Sequence, residues 1–172
     1  MSVPVKLSEI IGALELQIDE SLSFLDKDTG EVVTFTDEEL QAAEKDDPLD
    51  DYPEWEQESI RRAQKLIYED DAPGLPTKWD IHEYQIMEEF CYSIKDENIS
   101  DSLCYTIRGS GAFRRFKDGI HRFSVQDDWY RYRYEAFKKI AIEWCEENEI
   151  EYINDTIKPP PNGKEEAAPY SH

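Results

Sequence analysis

Between residues 81 and 147 apolar side chains return at every third or fourth position in three successive runs, and no other feature limits the possible folds so strongly. The first run is Ile81, Tyr84, Met87, Phe90, Cys91 and Ile94. The second is Phe113, Phe116, Ile120 and Phe123, and the third is Trp129, Ala136, Phe137, Ile140, Ala141 and Trp144, with Arg133 keeping the period between its first two members. Apolar stripes of this width are stable only when buried against one another or against a further apolar surface, so the chain must be largely helical. Helix signals frame the runs. Asp80 and Glu83 form a capping box before the first, a shorter helix around Leu103 to Ile107 ends at Gly109, and Ser124 with Asp127 caps the third, which extends to about Glu147.

The first half reads differently. Leu7, Ile10, Ile11 and Leu14 predict a short amphipathic helix capped at Ser8. Residues 21–26 (SLSFLD) and 31–36 (EVVTFT) are rich in β-branched and aromatic residues and flank a turn whose Gly30 can adopt the left-handed backbone that a hairpin needs. Thr36 and Glu39 set a capping box for a brief helix. Residues 45–54 (KDDPLDDYPE) form a solvated loop, and residues 54–69, carrying Trp55, Ile60, Ala63, Leu66 and Ile67, form a helix that DDAPGLP ends. Residues 150–153 (IEYI) are expected to add a third strand beside the hairpin. The expectation is therefore an α+β fold: a predominantly helical single domain over residues 1–157 with an N-terminal β-hairpin and one further short strand. Residues 158–172 are proline-rich and polar and are expected to form a disordered tail. A length of 172 residues suits one domain.

Charge narrows the function classes. Forty acidic residues against nineteen basic leave a net charge of -21. The imbalance disfavours nucleic acid and anionic lipid as partners. It is also uneven: residues 1–75 hold twenty-one acids and six bases, whereas residues 108–139 hold nine bases and four acids. No eighteen apolar residues run together and the first twenty residues resemble no secretory signal, so no membrane contact is expected. Cys91, Cys104 and Cys145 lie far apart among apolar residues, which points to reduced, buried thiols and a cytoplasmic address.

The basic stretch carries the sharpest candidate site. In Arg108-Gly-Ser-Gly-Ala-Phe-Arg-Arg-Phe-Lys117 a glycine turn opens a helix, and helix N-termini present free N–H groups to anions. Arg108, Gly109, Gly111, Arg114, Arg115, Lys117 and His121 are the candidate residues for an anion or a partner protein. Phe113, Phe116, Ile120 and Phe123 fall within an arc of roughly 80°, leaving the cations on the other side. The same residues also fit a structural role, with Gly109 ending one helix, Gly111 permitting a tight corner and the arginines pairing with carboxylates. Neither nucleotide-binding glycine pattern is present. Trp79, His82 and Glu83 are secondary candidates. Asp80-Ile-His-Glu lacks the spacing that places two histidines on one helical face, so no metal or other cofactor is expected. None of the cysteines sits in a Cys/His motif, and no catalytic residue is identified. Trp129, Tyr130, Tyr132 and Tyr134, interleaved with Arg131 and Arg133, have the composition of single-strand nucleic-acid surfaces, but the net charge opposes that use. The acidic first half could dock a basic partner, a reading that an exposed Trp55 or Tyr52 would strengthen.

Two segments together carry a resemblance: LPTKWDIHEYQIMEEF at 75–90, and TIRGSGAFRRFKDGIHRF at 106–123 followed by WYRYRYEAFKKIAIEWCEENEIEYI at 129–153. They resemble the bacterial proteins grouped as uncharacterised protein family 0158, over residues 5–155. The resemblance implies a bacterial source and no known activity, so no catalytic residue carries over. It places the family's most recognisable motif on Gly109 to Lys117, with Ser110 where a basic residue is expected. Two readings follow: a non-enzymatic binding or adaptor protein that engages another protein through charged surfaces, or a small enzyme or ligand-binding domain for an anionic metabolite held at the Gly109 to Ala112 turn.

Overall fold

In the computed structural model, which describes residues 2–16, 20–45 and 48–156, the helical periods become seven α-helices and the remaining extended segments four short strands. The chain divides into two compact units, one of Met1–Asp80 with Ile140–Thr156 and one of Ile81–Lys139. The expected tail over 158–172 lies outside the described residues. Among those residues no helix is long and apolar enough to cross a membrane.

The first unit contains β1 (Val5–Lys6), α1 (Leu7–Leu16), β2 (Ser21–Asp26), β3 (Glu31–Thr36), α2 (Asp37–Lys45) and α3 (Glu54–Ala63). β2 and β3 form the expected hairpin, in register from Ser21 opposite Thr36 to Asp26 opposite Glu31. Gly30 has φ +76°, donates its N–H to the Asp26 carbonyl at 2.8 Å, and lies so close to Pro4 that a Cβ would come within 2.9 Å of its carbonyl oxygen. Alternation along the strands puts Phe24, Val33 and Phe35 on one face, where they pack with Ala42, Ala43, Ile60, Ala63 and Leu66. The Thr36–Glu39 capping box forms reciprocally: Thr36 N–H donates to Glu39 Oε1 at 2.9 Å and Glu39 N–H to Thr36 Oγ1 at 3.2 Å. Beyond Ala63 the helix widens into a π-helical turn at Gln64–Glu69. Trp55, expected on the apolar stripe, is 67% exposed, because it lies five positions before Ile60 and thus about 140° round the axis.

The last strand, β4 (Tyr152–Ile153), exists but does not join the hairpin. It pairs in parallel with β1, Val5 opposite Tyr152 and Lys6 opposite Ile153. The outer edge of β2 is already occupied by the segment around Gly74: Leu25 N–H donates to the Pro73 carbonyl at 3.0 Å, and Leu75 N–H to the Ser23 carbonyl at 2.9 Å. Just beyond β4, Asp155 accepts hydrogen bonds from the backbone N–H of Ser8 at 2.9 Å and from its hydroxyl. The start of α1 is therefore capped by a carboxylate distant in sequence, not by Ser8 itself. Burial alone would raise the pKa of Asp155, but the two Ser8 hydrogen bonds, the Asp155 backbone N–H and the charge of Lys6 together hold it below the usual carboxylate value.

The second unit contains α4 (Glu83–Ser93), α5 (Glu97–Thr106), α6 (Ala112–Arg122) and the first part of α7 (Gln126–Glu147). Its core centres on an aromatic cluster in which Phe116 lies edge-on to Phe90 at 6.1 Å and to Trp129 at 4.8 Å. α5 starts well before Leu103 because Asp96 caps it, accepting from the N–H groups of Asn98 and Ile99. Two expected caps are not formed. Asp80 binds back to Thr77, accepting from its N–H at 2.9 Å and its hydroxyl at 3.1 Å, and His82 stands at the N-cap of α4 without a side-chain bond. Ser124 has φ +56° and closes α6, with its N–H on the His121 carbonyl and the next N–H, of Val125, on the Ile120 carbonyl.

Candidate functional site

The corner between α5 and α6 is built from two left-handed glycines, Gly109 at φ +79° and Gly111 at φ +75°. Residues with a Cβ rarely tolerate that backbone, so the spacing of the glycines dictates the turn. At Gly111 a Cβ would also approach Arg115 Nη1 to 3.1 Å. α6 starts at once, with Arg115 N–H donating to the Gly111 carbonyl.

One turn into α6, Arg115 folds its guanidinium back over this corner. Nε donates to the Thr106 carbonyl at 2.9 Å, Nη1 to the Ser110 carbonyl at 2.6 Å, and Nη2 to the Arg108 carbonyl. These oxygens belong to the C-terminal end of α5 and the turn after it, where helix carbonyls lack partners and carry partial negative charge. Arg115 thus tethers the corner from within, and its donors face backbone oxygens.

The other cations lie differently. The Arg108 guanidinium stands 5.6 Å from the ring centre of Tyr105, which is itself 73% exposed. Arg114, Lys117 and His121 are exposed. With Phe113 they occupy an arc of roughly 100° on the outer side of α6. Phe113 departs from the expectation that it is buried: it is 48% exposed. Ala112, Phe116, Gly119 and Ile120 are the buried positions of α6, and Phe113 lies at the margin of their arc. Tyr84 of α4, 40% exposed, meets Phe113 edge-on at 6.3 Å and is held by its hydroxyl donating to the Ile107 carbonyl at 2.8 Å. The structure thus joins Phe113 and Tyr84 into an accessible aromatic pair beside Arg114 and Lys117. Nothing in the helical period distinguished these two rings from core residues.

The secondary candidates fall in different units. Trp79 belongs to the first unit and is 78% exposed, with the Lys78 ammonium 5.2 Å from its ring centre. His82 and Glu83 belong to the second unit. His82 is exposed, and Glu83 accepts from Arg133 Nε at 2.8 Å while the Arg133 guanidinium lies 4.4 Å from the Phe137 ring centre. Among the described residues no group of three or more His, Cys, Asp or Glu is placed to hold a metal ion. Trp129 and Tyr132 of the aromatic series pack on Phe90, at 5.3 and 5.4 Å. The cysteines are free thiols, with Cys91 and Cys145 buried. Burial, then the neighbouring Cys104 and Glu88, push the Cys91 thiol up to about 12, and burial with Glu146 pushes Cys145 up to about 11. Neither forms a nucleophilic thiolate near neutral pH.

A family model described as "Uncharacterised protein family (UPF0158)" matches residues 2–165. A UPF0158 protein of Pseudomonas aeruginosa is 26% identical over 83 residues, which cover 46% of this chain and 54% of that protein. The chain therefore spans about half the length of the curated relative it matches. No solved structure matches.

Proposed function

The chain belongs to UPF0158, a family without an assigned activity, and from that premise we propose that it is a non-enzymatic binding protein that recruits an acidic protein segment through the outer face of α6. The observation that carries this reading is the exposed Phe113–Tyr84 pair flanked by Arg114 and Lys117. Aromatic side chains that keep exposed surface in the free protein are effective anchors for a partner, and cations beside them select acidic over basic segments and speed encounter. Arg108 extends the positive rim. Arg115 serves the same site indirectly, by fixing the corner from which α6 projects. The other reading, a phosphate- or carboxylate-bearing metabolite at the Gly109–Ala112 turn, must share the Arg115 guanidinium, which already donates to three carbonyl oxygens.

The test is an affinity capture from the native cell with quantitative mass spectrometry, comparing the wild type, Arg114→Glu with Lys117→Glu, Phe113→Ala, and Lys95→Glu as a charge control on the same unit. A direct partner is retained by the control and lost, at least tenfold, by the first two variants. Retention of every captured protein by the Arg114/Lys117 variant refutes the reading. So does a dose-dependent rise in melting temperature with phosphorylated metabolites that the variant abolishes.

A further inference from the structure

A second surface, on the first unit, has its own chemistry. A groove of about 730 Å³ lies against the hairpin, on the opposite face from Phe24, Val33 and Phe35. Val32 and Thr34 of β3 line it, with α1 on one side and the segment Leu75 to Trp79 on another. α1 leaves room there because its lining positions are small: Gly12 and Ala13 stand where larger residues would fill the space, and a Cβ added to Gly12 would meet nothing within 4 Å. Two apolar side chains of the lining keep large exposed surface, Leu16 at 73% and Trp79 at 78%. Exposed apolar surface gathered around a concave site marks a binding site.

The lining is also strongly polarised. Among the described residues Glu9, Glu20 and Asp37 bring three carboxylates, against the single ammonium of Lys78. Glu31 lies on the other face of the hairpin, paired with Arg62 at 2.7 Å, and Glu9, Glu20 and Asp37 are exposed to solvent. We infer that this groove docks a cationic amphipathic segment of a partner protein, whose apolar side chains fill the space beside Gly12 and Ala13 while its lysines or arginines meet Glu9, Glu20 and Asp37. The volume suits a few apolar side chains inserted from one face of a helix. The exposed Leu16 and Trp79 at the mouth would stay uncovered by a small ligand held inside but would be buried beneath a helix lying along the groove. A second copy of this chain, with net charge -21, and an anionic lipid surface both bring the wrong sign. The inference is independent of the α6 face, which selects the opposite charge.

The experiment uses a fluorescein-labelled synthetic helix with leucine on one face and lysine on the other, and a counterpart with glutamate in place of lysine. Anisotropy titrations are run with the full chain at about 0.15 M salt. The expected result is saturable binding of the lysine peptide and at least tenfold weaker binding of the glutamate peptide. Ala13→Trp, which fills the groove without altering charge, should weaken lysine-peptide binding at least tenfold. Gly12→Leu serves as a second filling variant, and unchanged thermal unfolding shows that either one is folded. Equal binding of the lysine peptide by wild type and a folded filling variant would mean attraction to net charge alone and overturns the inference. So does absence of binding, or preference for the glutamate peptide. Displacement of the bound peptide by dodecyltrimethylammonium below its micelle concentration, without displacement by tetramethylammonium, is expected, because the site demands an apolar body together with a positive head.

Discussion

Replacing Arg115 with alanine withdraws donors from the carbonyls of Thr106, Arg108 and Ser110 at once. Hydrogen bonds from a charged donor are the stronger kind, and the site is exposed to competing water, so the expected loss is roughly 1–2 kcal/mol in urea unfolding. Arg115→Lys should recover less than half of it, because an ammonium cannot reach three oxygens in the planar fan that a guanidinium presents. The thiols provide a second test at this scale. With Cys91 and Cys145 raised to about 12 and about 11 by burial, both should react with a thiol reagent at neutral pH only after denaturant opens the fold. The protonated thiol is the form favoured in the folded state. Its stabilising effect is full below the ordinary thiol pKa and is lost as pH rises towards the raised values, so folding should weaken in that alkaline window; Cys91→Ala should flatten the loss.

At the scale of elements, the Ser8–Asp155 contact joins the start of α1 to the segment after β4. Asp155→Asn should cost about 1 kcal/mol at neutral pH, the usual size of an N-cap. Because the carboxyl of Asp155 is held below its usual value, the increment is present above the ordinary carboxylate pKa and disappears as pH falls through the lowered one. Chemical unfolding of wild type and variant should therefore begin to converge only below about pH 4 and coincide once the pH lies under the lowered value. Gly30→Ala combines a left-handed backbone with a Cβ pressed on the Pro4 carbonyl, and should cost about 2 kcal/mol in the same assay. The elements that local chemistry specifies were legible in the sequence: the hairpin ends where β-branched residues give way to turn residues, and Thr36 and Glu39 cap α2 reciprocally. Features decided by distant partners were not. β4 was readable as a strand, but its partner, β1, lies almost the whole chain away, and the segment around Gly74 takes the edge of β2. Asp80 and Ser124 matched capping patterns, yet Thr77 claims the first and the closure of α6 the second. The same distinction holds at the candidate site. Gly109 and Gly111 announced a corner, whereas the inward turn of Arg115 and the accessible Phe113–Tyr84 pair arise from packing between helices.

Across the whole molecule the forty acidic residues set the response to solvent. A chain with net charge -21 repels itself when compact, and screening relieves that repulsion more than it weakens a few exposed ion pairs. Raising sodium chloride from about 20 mM to about 500 mM should therefore raise the melting temperature, as the screening length falls from roughly 20 Å to about 4 Å. A fall in melting temperature would show that ion pairs outweigh the repulsion. The parallel pairing of Val5–Lys6 with Tyr152–Ile153 reaches beyond equilibrium stability. During synthesis the amino-terminal residues emerge first but cannot complete their unit, because the strand beside β1 and the carboxylate that caps α1 are encoded almost a whole chain later. The nascent polypeptide must hold that early helix and hairpin unfinished until translation delivers residues 152–155. The interval exposes Ile10, Ile11 and Leu14 to chaperones before they can be buried.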